Sequence, residues 1–538
     1  MSIGRSSLIL ASGTVVSRLL GFVNAVVLAR TLGIVGSGAD AFALANHLPN
    51  TIYSIVAGGV LTAVLVPHIV RAIGHSDGGA GYINKLLTLG ILVFAAIATI
   101  ATLSAPWLVN LYAQDGASGT VGFGPDEMKL AIMFAWWCLP QVFFYAIFSL
   151  CSEVLNARGL FGPATWAPIV NNVVGIVGTL ILGSVFTGDF STATDWGLNE
   201  VALLGGSATA GVVSQALIIA LFLRKAGVRF RFDFNFKGVG LRTASTDALW
   251  TLALVAVWQI AVIIQSNVAS LTTASGDAGI AVLRFSWLIF MLPHSVVTVS
   301  LATAYFTRMS AHVRDENYVA FSNDIRDSIA QIGNLLVIAS VGIWVVSPLV
   351  TQVFSTADHG QMAAVVSLYV IALLPYGVQY ILQRAMYSLG DARTPFIAQV
   401  IQTVVFCGIA LYVSTKPPTE IAAGLALAMT IAVWIQAAIV AGVLHKKLGK
   451  LFDFTEVKSL VVYLVAAIPA AAVGFGIRNL LGDAAPTDQT SVIVLALVKS
   501  LVVGIAMIAV YFGTLLALRD KTTRDFVAPL RRLGNKRA

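Results

Sequence analysis

Four basic side chains stand inside long apolar stretches: Arg18, Arg30, Arg284 and Lys499. An ionised group at mid-bilayer costs about 2.5–3.5 kcal/mol even on a lenient insertion scale, so each needs a partner or a task. Arg18 lies near the middle of the first apolar run, in Ser17-Arg18-Leu19-Leu20-Gly21-Phe22, and Arg284 in the first part of the eighth, which also carries His294. One expectation is a cationic cavity that receives an anionic group. The alternative is a buried arginine that caps backbone carbonyls or neutralises a nearby acid. Arg30 sits near the outer end of the first run and Asp40 opens the second, so a rim ion pair is expected there. For Lys499 the expectation is snorkelling or pairing with Asp488, without a substrate role.

Prolines accompany these charges. Pro49, Pro67, Pro140, Pro168, Pro293 and Pro375 all fall within apolar runs, where proline kinks a helix and frees a carbonyl. Pro49 and Pro293 recur at matching places in the two halves and suggest bent helices beside a pathway, with rim or gating roles. Asn46, His47, Asn50 and Tyr53 surround Pro49 and are expected to face the same cavity; interhelical hydrogen bonding is the alternative for each. Gln141, Asn171, Asn172, Gln259, Gln265, Asn267, Gln379 and Gln383 add further polar positions. There is no Walker A loop, no H-E-x-x-H and no carboxylate–histidine cluster. The expectation is a transporter without enzymatic activity, metal or cofactor, driven by the membrane potential, a monovalent ion or the substrate's own gradient. Cys138, Cys151 and Cys407 lie in apolar segments and are expected as buried thiols.

These residues must be positioned by membrane-spanning helices. The chain of 538 residues is 58% hydrophobic and 11% charged. A soluble domain carries about a quarter of its residues charged. Apolar runs of about 20 residues, enough to cross a bilayer, recur from end to end. Spans are expected at about 7–32, 40–72, 85–113, 128–156, 162–187, 200–223, 243–271, 278–307, 328–355, 360–388, 395–415, 420–444, 458–480 and 489–518. The N-terminal run passes beyond a signal-peptide h-region and lacks a small-x-small cleavage site, so it reads as the first span. With both termini cytoplasmic, most of the 33 basic residues fall in inside segments, among them Arg224, Lys225, Arg229 and Arg231, whereas Asp115, Asp126, Asp189 and Glu200 fall outside. That alternation is the positive-inside bias and supports an even count. The net charge of +8 suits an anionic leaflet; a basic soluble face for nucleic acid is lacking.

A weak repeat relates the halves. Leu48-Pro49-Asn50 is echoed by Leu292-Pro293-His294, and Leu155-Asn156-Ala157-Arg158 by Leu389-Gly390-Asp391-Ala392-Arg393. The offset is about six spans, which preserves orientation and relates the halves by an axis along the membrane normal. The expected organisation is all-α: 1–227 with spans 1–6, 228–450 with spans 7–12, 451–519 with two added spans, and a basic cytoplasmic tail over 520–538.

The stretches Ser12-Gly13-Thr14-Val15-Val16-Ser17-Arg18-Leu19-Leu20-Gly21-Phe22, Asp40-Ala41-Phe42 through Leu48-Pro49-Asn50, Val66-Pro67, Leu155-Asn156-Ala157-Arg158-Gly159, Pro293-His294-Ser295 and Arg384-Ala385-Met386-Tyr387 through Arg393-Thr394-Pro395 together resemble the MurJ (MviN) family. These are lipid II flippases of the wider group that includes MATE exporters. The resemblance implies a V-shaped molecule of two six-helix lobes with a central cavity, and a lipid-tail groove at the last two helices. It also implies a substrate: undecaprenyl-diphosphate carrying a disaccharide–pentapeptide, moved from the inner to the outer leaflet of the bacterial cell membrane for wall synthesis. Membrane lipids and other wall-synthesis proteins are the implied partners. Arg18 matches a family cavity arginine and Asp40 a family acid. Elsewhere the chain departs: Asn24-Ala25 replaces the family's Arg-Asp, Tyr53 replaces an arginine, and Gly58-Gly59 replaces Glu-Gly. The span-8 arginine position holds Leu288, with Arg284 one helical turn earlier on the same face. The cavity is therefore less charged than the family pattern and resembles that of actinobacterial members. The resemblance leaves open another polyprenyl-diphosphate-linked glycan, or a non-transporting scaffold for the wall-synthesis machinery.

Overall fold

A peptide group in hydrocarbon has no water to bond, so a chain this apolar crosses either as helices or as a closed barrel. In the computed structural model it crosses as helices. Residues 3–60, 79–114, 122–186, 188–236, 246–449, 455–482 and 489–524 are described. The first half comprises α1 (Ile3–Leu32), α2 (Ser37–Val60), α3 (Ala80–Leu103), α4 (Ala105–Tyr112), α5 (Pro125–Cys138), α6 (Gln141–Ala157), α7 (Gly162–Val185), α8 (Leu198–Lys225) and α9 (Thr246–Ser270). There follow α10 (Ile280–Pro293), a π-helical turn His294–Thr298, α11 (Val299–Arg314), α12 (Tyr318–Gln352), α13 (His359–Ile371) and α14 (Leu373–Ser388). The last are α15 (Arg393–Val413), α16 (Pro418–Leu448), α17 (Thr455–Leu481) and α18 (Gln489–Ala517).

Among the described residues, twelve helices are long and apolar enough to cross a membrane, and α13 with α14, bent by 40°, makes up to thirteen. The first part of the expected second span is helical as far as Val60 in α2, which is not among the twelve; residues 61–78, including Pro67 and Arg71, lie outside the described residues. Prolines mark the breaks. Pro140 separates α5 from α6, and Pro293 precedes the π turn between α10 and α11. Large apolar side chains remain exposed along these helices, for example Leu19, Leu103, Leu180, Val404 and Leu501. Such surface is suited to lipid rather than water.

By packing, the chain divides into two compact units. One is Met1–Val282 with Leu411–Ile421, and the other is Leu283–Ala410 with Ala422–Ala538. In the first, α7 packs along both α1 and α8, and α2 packs against α5, α6 and α9. The α7–α8 approach depends on glycine: a Cβ on Gly178 would fall 2.2 Å from the Ser207 side chain. One hydrophobic core in it joins Leu86 and Phe94 of α3, Leu150 and Val154 of α6, and Ile219 and Leu223 of α8. In the second unit, α12 packs against α17 and α18 around Val337, Val345, Tyr463, Met507 and Tyr511.

Lys499 serves a helix end: its Nζ donates 2.8 Å hydrogen bonds to the carbonyls of Leu481 and Gly482, while Asp488, the acid expected beside it, lies outside the described residues. A cation thus closes the C-terminal end of α17, where unsatisfied carbonyls carry partial negative charge.

Between α14 and α15, Asp391 accepts from the Thr394 backbone N–H at 2.9 Å and its hydroxyl at 2.6 Å, and pairs with Lys447 of α16. Partial burial pushes this carboxyl up, but the bonds from Lys447 and Thr394 outweigh it and hold it below the ordinary carboxylate range. A lowered folded value makes the contribution complete above the unfolded value of about 3.9 and lost as pH falls through the folded one. The stability gap between wild type and Asp391→Ala should be constant from neutral pH to about pH 5 and shrink below about pH 4, as read by thermal unfolding across pH.

Candidate functional site

The first unit holds a partly open cavity of about 100 Å³ among α1, α2, α6, α7 and α8. Asn24, Asn46, Gln141, Asn171, Thr179 and Ser207 supply its polar lining, with Leu28, Phe42, Tyr145 and Leu204 among the apolar contributors. Asn24 of α1 and Asn46 of α2 meet at this cavity through the packing of their helices. Gln141 opens α6 directly after Pro140, and its fully buried amide donates to Thr209 at 3.0 Å and Asn46 at 3.4 Å. Thr179 and Ser207 were not foreseen, because a lone hydroxyl on an apolar helix carries no sequence signal of what it faces.

The other expected residues of α1 and α2 go elsewhere. Arg18 is exposed on α1, and among the described residues it makes no ion pair. Arg30 is half-buried near the end of the same helix. Asp40, expected at a rim opposite Arg30, is only 1% exposed and turns its carboxylate inward. Its Oδ2 accepts from the Thr273 hydroxyl at 2.7 Å and its Oδ1 from the Ala281 backbone N–H at 2.8 Å. Asp40 thereby ties α2 to the N-terminus of α10, where free N–H groups favour an anion. Gly279 makes room for it, since a Cβ there would lie 2.4 Å from Asp40 Oδ2. His47 stays within its own helix, its Nδ1 3.1 Å from the Thr51 hydroxyl. Pro49 is buried and Asn50 exposed, while the Tyr53 ring lies 6.0 Å from that of Tyr145.

In the second unit Arg284 is half-buried on α10. His294, expected on a cavity wall, is 2% exposed instead. Its ring centroid is 4.6 Å from that of Tyr376 and 5.3 Å from that of Tyr380, whose hydroxyl accepts from Arg384 Nη2 at 2.7 Å. The π turn after Pro293 directs the imidazole into this aromatic group, which sequence spacing alone does not reveal. Among the described residues no three His, Cys, Asp or Glu side chains gather as a metal site.

This arrangement of membrane helices and intramembrane polar residues has known counterparts. A family model described as lipid II flippase MurJ matches residues 28–484. The chain belongs to the MurJ family. Among its relatives, a probable lipid II flippase MurJ of Vibrio cholerae serotype O1 is 26% identical over 446 residues, covering 79% of this chain and 81% of that one. A probable lipid II flippase MurJ of Haemophilus influenzae is 26% identical over 481 residues, covering 86% and 89%. In fold the chain is similar to a lipid II flippase MurJ in an inward closed conformation, with a TM-score of 0.71 at 18% identity over 95% of this chain and 100% of that one. It is also similar to an inward-facing MATE family multidrug resistance transporter, with a TM-score of 0.62 at 16% identity over 81% and 95%. A MurJ member is a multi-pass helical membrane protein; the MurJ match covers α10 with Arg284 and the last turn of α1 with Arg30, and begins beyond Arg18.

The Asp40 contacts make a direct prediction for this MurJ chain. Asp40→Ala strands the Ala281 N–H and the Thr273 hydroxyl and should cost about 2–4 kcal/mol of stability. Hydrogen exchange at Ala281 should accelerate with it. Unchanged exchange there would mean the α10 N-terminus does not depend on this carboxylate.

Proposed function

We propose that this protein is a lipid II flippase, moving the undecaprenyl-diphosphate-linked peptidoglycan precursor from the inner to the outer leaflet by alternating access, for cell-wall synthesis. The reading is supported by membership of the MurJ family together with one observation: an exposed guanidinium, Arg18, on a membrane-crossing helix with no ion pair among the described residues. A cation so placed is costly unless an anion arrives to share its charge. Arg18 and Arg284 hold the diphosphate in this proposal, and the membrane potential or a monovalent ion supplies the drive. Fourteen spans carry the chain, with both termini cytoplasmic in the bacterial inner membrane. Residues 1–227 and 228–450 are the two lobes, 451–519 accommodates the lipid tail, and 520–538 is a basic tail that can engage other wall-synthesis proteins.

A second reading has its own support. Asn24-Ala25, Tyr53, Gly58-Gly59 and Leu288 stand where the family pattern carries charge, so fewer fixed cations face the headgroup. That pattern suits a different polyprenyl-diphosphate-linked glycan.

Replacement of a cell's essential lipid II flippase by this protein separates the readings. Wild type should restore growth and surface-exposed lipid II, and Arg18→Ala or Arg284→Ala at equal expression should lower exposure at least about tenfold, the worth of one charge-assisted contact. Rescue by both variants removes these arginines from the mechanism. Failure of well-inserted wild type favours the other glycan or a non-transporting scaffold.

A further inference from the structure

The cavity of the first unit is chemically unlike a diphosphate site. Among the described residues that line it there is no Arg, Lys, Asp or Glu. An anion entering finds no cation, and a divalent metal finds no carboxylate.

Its hydrogen-bond balance is specific. The Thr179 hydroxyl donates to Gly175 O at 2.9 Å and the Ser207 hydroxyl to Leu204 O at 3.0 Å, so both turn lone pairs outward. The Gln141 Nε2 hydrogens are committed to Thr209 and Asn46, which leaves its Oε1 as the free end of that amide. That oxygen is buried without a partner in a fully buried side chain on the cavity wall. An orphaned buried acceptor costs about 1–3 kcal/mol, and a small rotation of the Gln141 side chain toward the cavity would let a donor from outside the chain satisfy it. Asn24 and Asn171 line the same space and carry N–H donors as well as carbonyls. The site therefore offers both halves of an amide pairing without charge. At about 100 Å³ it is smaller than the 150 Å³ cavity that takes benzene, and so suits a small group rather than a whole sugar ring.

We propose that this cavity is a subsite for an acetamido group, the neutral amide of an N-acetylated sugar, with its N–H donated to Gln141 Oε1 and its carbonyl received by Asn24 or Asn171. The assignment rests on the flippase reading for its physiological ligand and specifies which part of the headgroup the first unit selects. It separates the recognition of the glycan from that of the diphosphate.

Thermal unfolding of the purified full chain in detergent tests it with free N-acetylglucosamine, with glucose, and with sodium against choline chloride. N-acetylglucosamine should stabilise wild type while glucose at equal concentration does not. Gln141→Leu should weaken the N-acetylglucosamine response about tenfold, and Ser207→Ala, which only trims a hydroxyl, should weaken it about threefold should Gln141→Leu misfold. An equal response to glucose, a response to sodium alone, or an unchanged response in both variants overturns the proposal. Because no flipping is measured, the two readings fail separately. A chain that flips lipid II yet ignores N-acetylglucosamine loses the subsite and keeps the flippase, and one that binds the sugar without flipping does the reverse.

Discussion

Hydrogen-bond satisfaction without water is the constraint that shapes this molecule. Each polar group carried into the hydrocarbon region must find a partner within the protein or receive one from a ligand. Lys499 finds the two carbonyls at the end of α17. Asp40 finds Thr273 and the first turn of α10. In the second unit Gln399, Gln402 and Gln436 bond one another, at 2.6 Å and 3.0 Å, in a buried amide cluster. These groups are satisfied and therefore structural. Arg18 and the Gln141 carbonyl are not satisfied in the same way, and that contrast is why ligands are proposed for them.

The two unsatisfied positions call for opposite chemistries. A guanidinium attracts an anion from a distance and holds it with charge-assisted bonds. A neutral amide attracts nothing over distance but discriminates strongly at contact, because an analogue lacking the right donor leaves a buried acceptor stranded. A lipid-linked glycan has both kinds of group. With the two proposed sites, division of labour between them would let a chain with fewer charges than the family resemblance implies still select such a headgroup.

Much of this was legible in the sequence. Hydropathy runs placed these helices closely: the expected 162–187, 200–223 and 395–415 correspond to α7, α8 and α15 within a few residues. Asn24 and Asn46 line one cavity, which lies within the first unit. Side-chain destination was less legible. Asp40 and Arg30 are near in sequence, yet Asp40 binds a helix end more than two hundred residues away. His294 follows a proline that suggests a pathway, but the π turn rotates it into tyrosines. Both outcomes depend on which elements pack together, and a sequence encodes that only through three-dimensional packing. The carbonyls that Lys499 caps were likewise not legible, since a helix C-terminus has no side-chain signature.

The central claim is transbilayer movement of lipid II, and reconstitution tests it most directly. Purified protein in proteoliposomes holding fluorescent lipid II should make the inner-leaflet pool accessible to a membrane-impermeant quencher, whereas protein-free vesicles should not. No difference between the two, with correctly inserted protein under both an imposed membrane potential and a sodium gradient, would contradict the account.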